Sequence, residues 1–312
     1  MRCHLLSTHL VRFSTPALVR ERLRMTTFAA AKKMIFNRLG ALGIADHEAR
    51  RECELIILHA TGCDTAQQVL RATEALAQSQ EQVIEEIVAK REARVPLQYC
   101  IGHTWFMGLR FDVEPGVLIP RADTEALVHK ASQLISLSDN QGDLNVVDVG
   151  IGSGAIAISL LKAHPALKIV GVDISETACR ISSQNAVLNG VSDRLRIECG
   201  DWHELLPDDI DVFLSNPPYI PSFQASQLQP EVGIYEPKEA LFGKEDDGLG
   251  FYRDFARLVP RRFRTGKGCI AVEVGDGQSG SVCAIFEEAG WLQVQVDLDM
   301  ARSPRVVTAR MS

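Results

Sequence analysis

The stretch Val147-Asp148-Val149-Gly150-Ile151-Gly152-Ser153-Gly154-Ala155-Ile156-Ala157 decides how the whole chain is read. An apolar strand runs into three glycines, and helical spacing begins directly after them. Glycine lets the backbone approach a ligand closely, and a helix N-terminus offers unpaired N–H groups. A second apolar run, KIVGV at 168–172, ends on Asp173, 19 residues past Gly154. An acid at that point can accept both hydroxyls of a ribose, or it can simply cap the helix that follows.

Outward from this loop, strand and helix alternate to the end of the chain. Strands are expected at 145–149, 168–172, 194–198, 211–215, 268–274, 291–297 and 305–310, and helices at about 154–163, 175–189, 248–259 and 278–289. Short apolar strands separated by helices predict an α/β fold with a doubly wound, mostly parallel sheet. Upstream, residues 25–94 carry only helical periodicity, as in Val83, Ile84, Ile87 and Val88, and Gly62-Cys-Asp-Thr65 reads as a helix stop and restart. Between the two textures lies 95–122, where β-type residues around Gly108 predict a hairpin linking two domains. Residues 123–312 form the second domain, and a helix is expected to open it near Asp123.

The chain has 312 residues, 46% of them hydrophobic, and a net charge of -7. This excludes a disordered or collagen-like chain and argues against a protein that coats nucleic acid. No apolar run approaches the roughly 20 residues of a membrane-spanning helix. Residues 1–24 hold five arginines and one acid, so this leader carries +4 and the remainder -11. Its composition is that of a mitochondrial transit peptide, though an upstream start codon with Met25 as the true first residue is the favoured reading. The leader sets the compartment: cytoplasm, or mitochondrial matrix if it is a transit peptide. The eight cysteines form no C-x-x-C pair and have no His at ligand spacing, so no metal is expected.

Two ligands compete for the glycine loop. Gly150, Gly152 and Ala155 satisfy the G-x-G-x-x-A pattern of NAD-binding loops. Gly150-x-Gly152-x-Gly154 after Asp148 fits S-adenosylmethionine better, because that ligand has no pyrophosphate to cradle; the plain structural reading is a tight turn with no ligand. The deciding motif is Asn216-Pro217-Pro218-Tyr219, directly after the strand DVFLS. Two prolines remove two N–H donors, so nearby carbonyls can face a ligand. Asn216 adds an amide oxygen and Tyr219 a flat ring, a set that can hold a planar N–H2 group. The two loops would meet if the first and fourth strands of the sheet are neighbours.

With these residues in view, the chain resembles the release-factor glutamine methyltransferase (PrmC/HemK) family of S-adenosylmethionine-dependent methyltransferases, from about Met25 to Arg310. Asn-Pro-Pro-Tyr is shared with adenine-N6 methyltransferases. More specific are Leu118-Ile-Pro-Arg-Ala-Asp-Thr-Glu125, Asn216-Pro-Pro-Tyr-Ile-Pro221, Glu236-Pro-Lys-Glu-Ala-Leu-Phe-Gly243, Asp247-Gly-Leu249 and Phe251-Tyr252. The resemblance implies a seven-stranded, Rossmann-like methyltransferase domain behind a small helical domain that recognises the substrate. It implies that Gly150, Ile151, Gly152, Ser153 and Gly154 wrap the methionine part of S-adenosylmethionine, that Asp173 holds its ribose, and that Asp201 and Trp202 border its adenine. Asn216, Pro217, Pro218 and Tyr219 would be catalytic and hold the glutamine side chain, with Asn216 also beside the cofactor. Arg121, Asp123 and Glu125 would support them, although all three can equally be charges at a helix start. Ile151 stands where the family commonly has Thr, and Asp299-Met-Ala-Arg-Ser-Pro-Arg305 lacks the glycine of the family's C-terminal run.

The implied partner is the Gly-Gly-Gln loop of a peptide chain release factor, with no direct nucleic-acid or membrane binding and a monomeric enzyme. The first alternative is a DNA or RNA adenine-N6 methyltransferase, which needs a basic face. Here the body is acidic, and 221–250 holds six acids against two lysines. A non-catalytic cofactor-binding protein is a second alternative, opposed by the intact Asn-Pro-Pro-Tyr. An NAD-dependent oxidoreductase is a third, opposed by the lack of a second βαβ half.

Overall fold

A computed structural model describes residues 26–137, 144–264 and 267–311; the leader 1–24 lies outside them. The chain divides into two compact units between Glu92 and Ala93. In the first, α1 (Phe28–Gly40), α2 (Asp46–Thr61), α3 (Thr65–Leu70) and α4 (Gln78–Glu92) form a helical cluster. Each long helix buries one stripe: Ala31, Ile35 and Leu39 of α1, Cys53, Ile56 and Ile57 of α2, and Ile84, Ile87 and Val88 of α4. Gly62 ends α2, and Asp64 opens α3 with a reciprocal cap to Gln67, the stop and restart expected there. Within the core, Arg91 is buried against Glu52, its Nε donating to Oε2 at 2.8 Å and its Nη2 to Oε1 at 3.0 Å.

The second unit begins with α5 (Leu97–Ile101) and a hairpin of β1 (His103–Phe106) and β2 (Leu109–Asp112), turning at Met107-Gly108. A short 3-10 turn at Ala122–Thr124 leads into α6 (Glu125–Ser136), which buries Leu127, Val128, Ala131 and Ile135. At about 1.5–3 kcal/mol for each large apolar side chain, that stripe fixes the helix to the sheet. The remaining elements are β3 (Asn145–Val149), α7 (Ala155–Ala163), β4 (Lys168–Asp173), α8 (Glu176–Leu188), β5 (Leu195–Cys199), α9 (Trp202–Leu205), β6 (Val212–Ser215), α10 (Pro230–Tyr235), α11 (Lys238–Leu241), α12 (Gly250–Leu258), β7 (Gly268–Glu273), α13 (Ser279–Glu288), β8 (Leu292–Leu298) and β9 (Pro304–Met311).

Seven strands form one sheet in the order β5-β4-β3-β6-β7-β9-β8. Pairings from β5 through β7 are parallel, and β9 runs antiparallel between β7 and β8. The doubly wound, mostly parallel sheet expected from the sequence is therefore present. Both faces are covered: Val146, Leu214 and Ala271 pack beneath α6 and α7, and Val147, Phe213 and Val272 against α12 and α13. Burial on both faces explains why these strands read as continuous apolar runs. No helix of the described residues is long and apolar enough to cross a membrane.

Candidate functional site

Strand register sets the site. β3 and β6 are parallel neighbours with Val149 opposite Ser215, so Gly150 and Asn216 leave the sheet side by side. Ser215 Oγ donates to the Val149 carbonyl at 2.7 Å and ties the two strand ends together. The chain winds outward from β3 to β5 and then returns to β6, so the strand order reverses here. That is where open α/β sheets bind ligands. A cavity of about 700 Å³ opens at this point, lined by Gly150, Gly152, Asp173, Asp201, Trp202 and Asn216 among others. Its size suits a nucleoside-sized ligand, since such sites span roughly 300–1,000 Å³.

The glycine loop is built backbone first. Gly150, Gly152 and Gly154 have φ of 76°, 54° and 85°, the left-handed region that side chains disfavour. Gly150 and Ile151 both donate their N–H to the Val172 carbonyl, at 2.8 and 3.1 Å. Asp173 then fastens the loop: its Oδ2 accepts from Gly152 N at 2.8 Å, and its Oδ1 from Ser175 N at 2.9 Å. Burial raises the pKa of this carboxyl, and the Ser175 and Gly152 amides oppose the rise. Ser153 is buried, and its carbonyl accepts from Asn185 Nδ2 at 2.9 Å. Asn185 Oδ1 in turn accepts from Asp112 N at 2.7 Å, which anchors the hairpin to the loop.

Ile151 shows why its side chain is compatible with a ligand loop. It is buried, and its Cδ1 lies 2.1 Å from where a Cβ on Gly171 would stand. Gly171 sits mid-strand in β4, and the three atoms nearest an added Cβ all belong to Ile151. Gly171→Ala is therefore expected to lower Tm by several degrees, an overpacking cost of about 1–3 kcal/mol. The loss should shrink by more than half in an Ile151→Thr background, measured by thermal unfolding of all three variants.

Beside the loop, Asp148 is fully buried on β3 and both carboxyl oxygens lack a partner of normal geometry. Burial pushes its pKa up to about 8, only partly offset by the Ala157 amide. Asp201 caps α9 and pairs with His203 Nδ1 at 2.6 Å; the His203 amide and ring hold its pKa down. Trp202 is buried, stacks on the His203 ring at 3.9 Å, and meets Phe255 edge-on at 5.2 Å. Its Nε1 is buried without a partner.

The Asn216–Tyr219 loop departs from expectation at its last residue. Asn216, Pro217 and Pro218 line the cavity. Asn216 Nδ2 donates to Thr124 Oγ1 at 3.2 Å. Tyr219 turns away from the cavity instead: its hydroxyl donates to Glu273 Oε1 at 3.4 Å, and its ring packs beside the core under α12 and α13. Its carbonyl accepts from Gln278 Nε2 at 2.9 Å. After it, Ile220 bridges Phe242, with Ile220 N donating to the Leu241 carbonyl at 3.0 Å. That bridge folds 222–241 back so that Pro237, Glu239, Ala240 and Lys244 join the cavity wall.

Of the three supporting residues, only Arg121 lines the cavity, paired with the buried Glu236. Burial raises the Glu236 pKa, opposed by the Arg121 charge. Asp123 lies 3.4 Å from Arg305, and Glu125 Oε1 accepts from Met107 N at 3.1 Å, a bond that holds the hairpin turn. Thr124, between them, lines the cavity and touches Asn216; sequence reading passed over it. Glu273 was missed too, although an acid inside the apolar run GCIAVEV was a visible signal.

Open glycine backbone, a carboxylate at the end of β4 and an unpartnered indole N–H together fit a nucleoside bearing an amino acid. Of the residues expected to hold S-adenosylmethionine, Gly150, Ile151, Gly152, Ser153, Asp173, Asp201, Trp202 and Asn216 line the cavity, whereas Gly154 caps α7 and is absent from the described cavity lining.

Residues 32–102 match the family model described as PrmC N-terminal domain, and 124–231 match the Methyltransferase small domain. The chain is 35% identical over 283 residues to the release factor glutamine methyltransferase of Cereibacter sphaeroides, covering 91% of this chain and 98% of that protein. To the Geobacter sulfurreducens enzyme of the same name it is 38% identical, covering 84% and 90%. Among solved structures, a release factor-specific protein-(glutamine-N5) methyltransferase from Alicyclobacillus acidocaldarius is 30% identical, covering 64% of this chain and 98% of that one, with a TM-score of 0.39.

Proposed function

The chain belongs to the release factor glutamine methyltransferase family, and from that premise we propose that it methylates the side-chain amide nitrogen of the glutamine in the Gly-Gly-Gln loop of a peptide chain release factor. The observation that carries this reading is the juxtaposition of Gly150 and Asn216 at neighbouring strand ends over one cavity. S-adenosylmethionine, when bound, supplies a methyl group already activated on a sulfonium. The residues to hold it are Gly150–Ser153, Asp173, Asp201 and Trp202.

The chemical difficulty lies in the acceptor. An amide nitrogen is a poor nucleophile because its lone pair is delocalised into the carbonyl. Two acceptors aimed at its N–H bonds draw the lone pair out of conjugation and favour the positive charge that develops on nitrogen. Asn216 Oδ1 and the Pro217 carbonyl are the acceptors in this reading. Fixing the nitrogen in line for transfer can itself contribute about 7–11 kcal/mol. No strong base is needed, since the methylated, protonated amide is very acidic. Tyr219 we assign to holding the loop rather than to touching substrate. The helices of 25–94 supply a recognition surface for the folded substrate protein, and the enzyme works as a monomer in the compartment where its release factor acts, the cytoplasm or, with a transit leader, the mitochondrial matrix.

Incubating the protein with methyl-labelled S-adenosylmethionine, release factor, DNA and RNA decides the substrate. Label is expected on the release factor, in the peptide containing Gly-Gly-Gln, and absent from a Gln→Ala version of that peptide. Label on adenine of either nucleic acid would instead support the N6 alternative.

A further inference from the structure

The side-chain amide of Asn216 has two ends, and the reaction needs its oxygen, not its nitrogen, to face the substrate. Asn216 Nδ2 donates to Thr124 Oγ1 at 3.2 Å, which leaves Oδ1 as the free end. That arrangement holds only while the Thr124 hydroxyl acts as acceptor, so its own proton must go elsewhere. Thr124 is buried, and so is Glu273, and the Thr124 hydroxyl lies near enough to the Glu273 carboxyl to favour its ionised form. The contact is looser than a normal hydrogen bond, since Glu273 Oε2 has no partner within normal geometry. Even so, the Thr124 hydroxyl is foremost among the groups that favour the ionised carboxyl. Glu273 Oε1 is already served by the Tyr219 hydroxyl at 3.4 Å.

We infer that Thr124 and Glu273 are positioning residues: the Thr124 hydroxyl donates its hydrogen toward the Glu273 carboxylate and keeps that proton, Thr124 accepts from Asn216 Nδ2, and the Asn216 oxygen is thereby directed at the substrate amide. The inference rests on the function proposed above for Asn216. If Glu273 is protonated, it can donate to Thr124 instead. The Thr124 hydroxyl is then free to donate to Asn216 Oδ1, the amide turns over, and its N–H2 meets the substrate N–H2, donor against donor.

Burial raises the Glu273 pKa to about 7, opposed by the Thr124 hydroxyl, the Arg305 charge and the Tyr219 hydroxyl and reinforced by Asp123. The Tyr252 hydroxyl donates to the Glu273 carbonyl at 2.8 Å and leaves the carboxyl alone. Arg305 is itself held by Asp276 at 2.8 Å and Asp299 at 3.6 Å, so the positive charge beside the carboxylate is fixed. A raised carboxyl pKa means that the working, ionised form is lost as pH falls through about 7.

The test compares Thr124→Val, Thr124→Ser and Glu273→Gln with wild type, in turnover and in the 15N–1H side-chain signals of Asn216. Thr124→Val and Glu273→Gln should each lower kcat about 10- to 100-fold, with KM for release factor and cofactor Kd within about twofold, while Thr124→Ser restores most of the rate. The wild-type Asn216 signals should shift with the same midpoint near pH 7 as kcat, and lose that dependence in Thr124→Val. Equal losses in Thr124→Val and Thr124→Ser, a KM effect in place of a kcat effect, or Asn216 signals indifferent to Thr124→Val would each overturn the relay. Failure of wild type to methylate any release factor would remove the proposed function instead, and the Asn216 signals would still decide the relay.

Discussion

Asn216→Ala abolishes methyl transfer while the protein still binds its cofactor. The expected loss in kcat is at least about 100- to 1,000-fold, the effect of deleting one preorganised group aimed at developing charge. Alanine removes the side-chain acceptor that the loop presents to the cavity, leaving the Pro217 carbonyl to hold one N–H while the other points at nothing. The cofactor side is held by different atoms: the glycine-loop backbone, Asp173 and the α9 region. Cofactor Kd, measured by calorimetry, should therefore move by less than about threefold, a change under 0.7 kcal/mol. The buried Thr124 hydroxyl loses its Asn216 donor, a modest cost of about 1 kcal/mol in stability. A variant that turned over normally at saturating cofactor would sink the assignment of Asn216.

Asp173→Ala gives the converse result. Cofactor Kd is expected to rise at least about 100-fold, since two or more hydrogen bonds to a carboxylate are lost at about 1.5–3 kcal/mol each. One loss is internal: the Gly152 N–H, held by Oδ2 at 2.8 Å, is released and the loop loses its fixed shape. The other is the pair of ribose hydroxyls that the remaining lone pairs would accept. Asp173→Asn should fall between the two, because its amide oxygen can serve Gly152 or Ser175 but not both. At saturating cofactor, kcat should return to within a few-fold of wild type. Calorimetry together with turnover at two cofactor concentrations separates the effects, and a low kcat that no cofactor concentration restores would assign Asp173 to the acceptor side instead.

Much of this architecture was legible in the sequence because both sheet faces are buried. NVVDV and KIVGV read as strands whose observed ends, Asn145–Val149 and Lys168–Asp173, differ by at most one residue. What stayed hidden was set by long-range contact. The short helices of 230–241 have no amphipathic period; they are folded by the Ile220–Phe242 bridge and the Arg121–Glu236 pair. The direction of the Tyr219 ring could not be read either, since it depends on Glu273, 54 residues away. Thr124 looked like an ordinary residue at a helix start, and only its distance to Asn216 shows otherwise.

The Ile151 side chain lying over Gly171 also constrains how this sequence can change through descent. Alanine at 171 collides first with the isoleucine at 151, so the order of replacements matters. A lineage that first exchanges Ile151 for a smaller residue opens position 171 to drift, whereas the reverse order passes through a poorly packed intermediate. Within this family the two positions should therefore vary together.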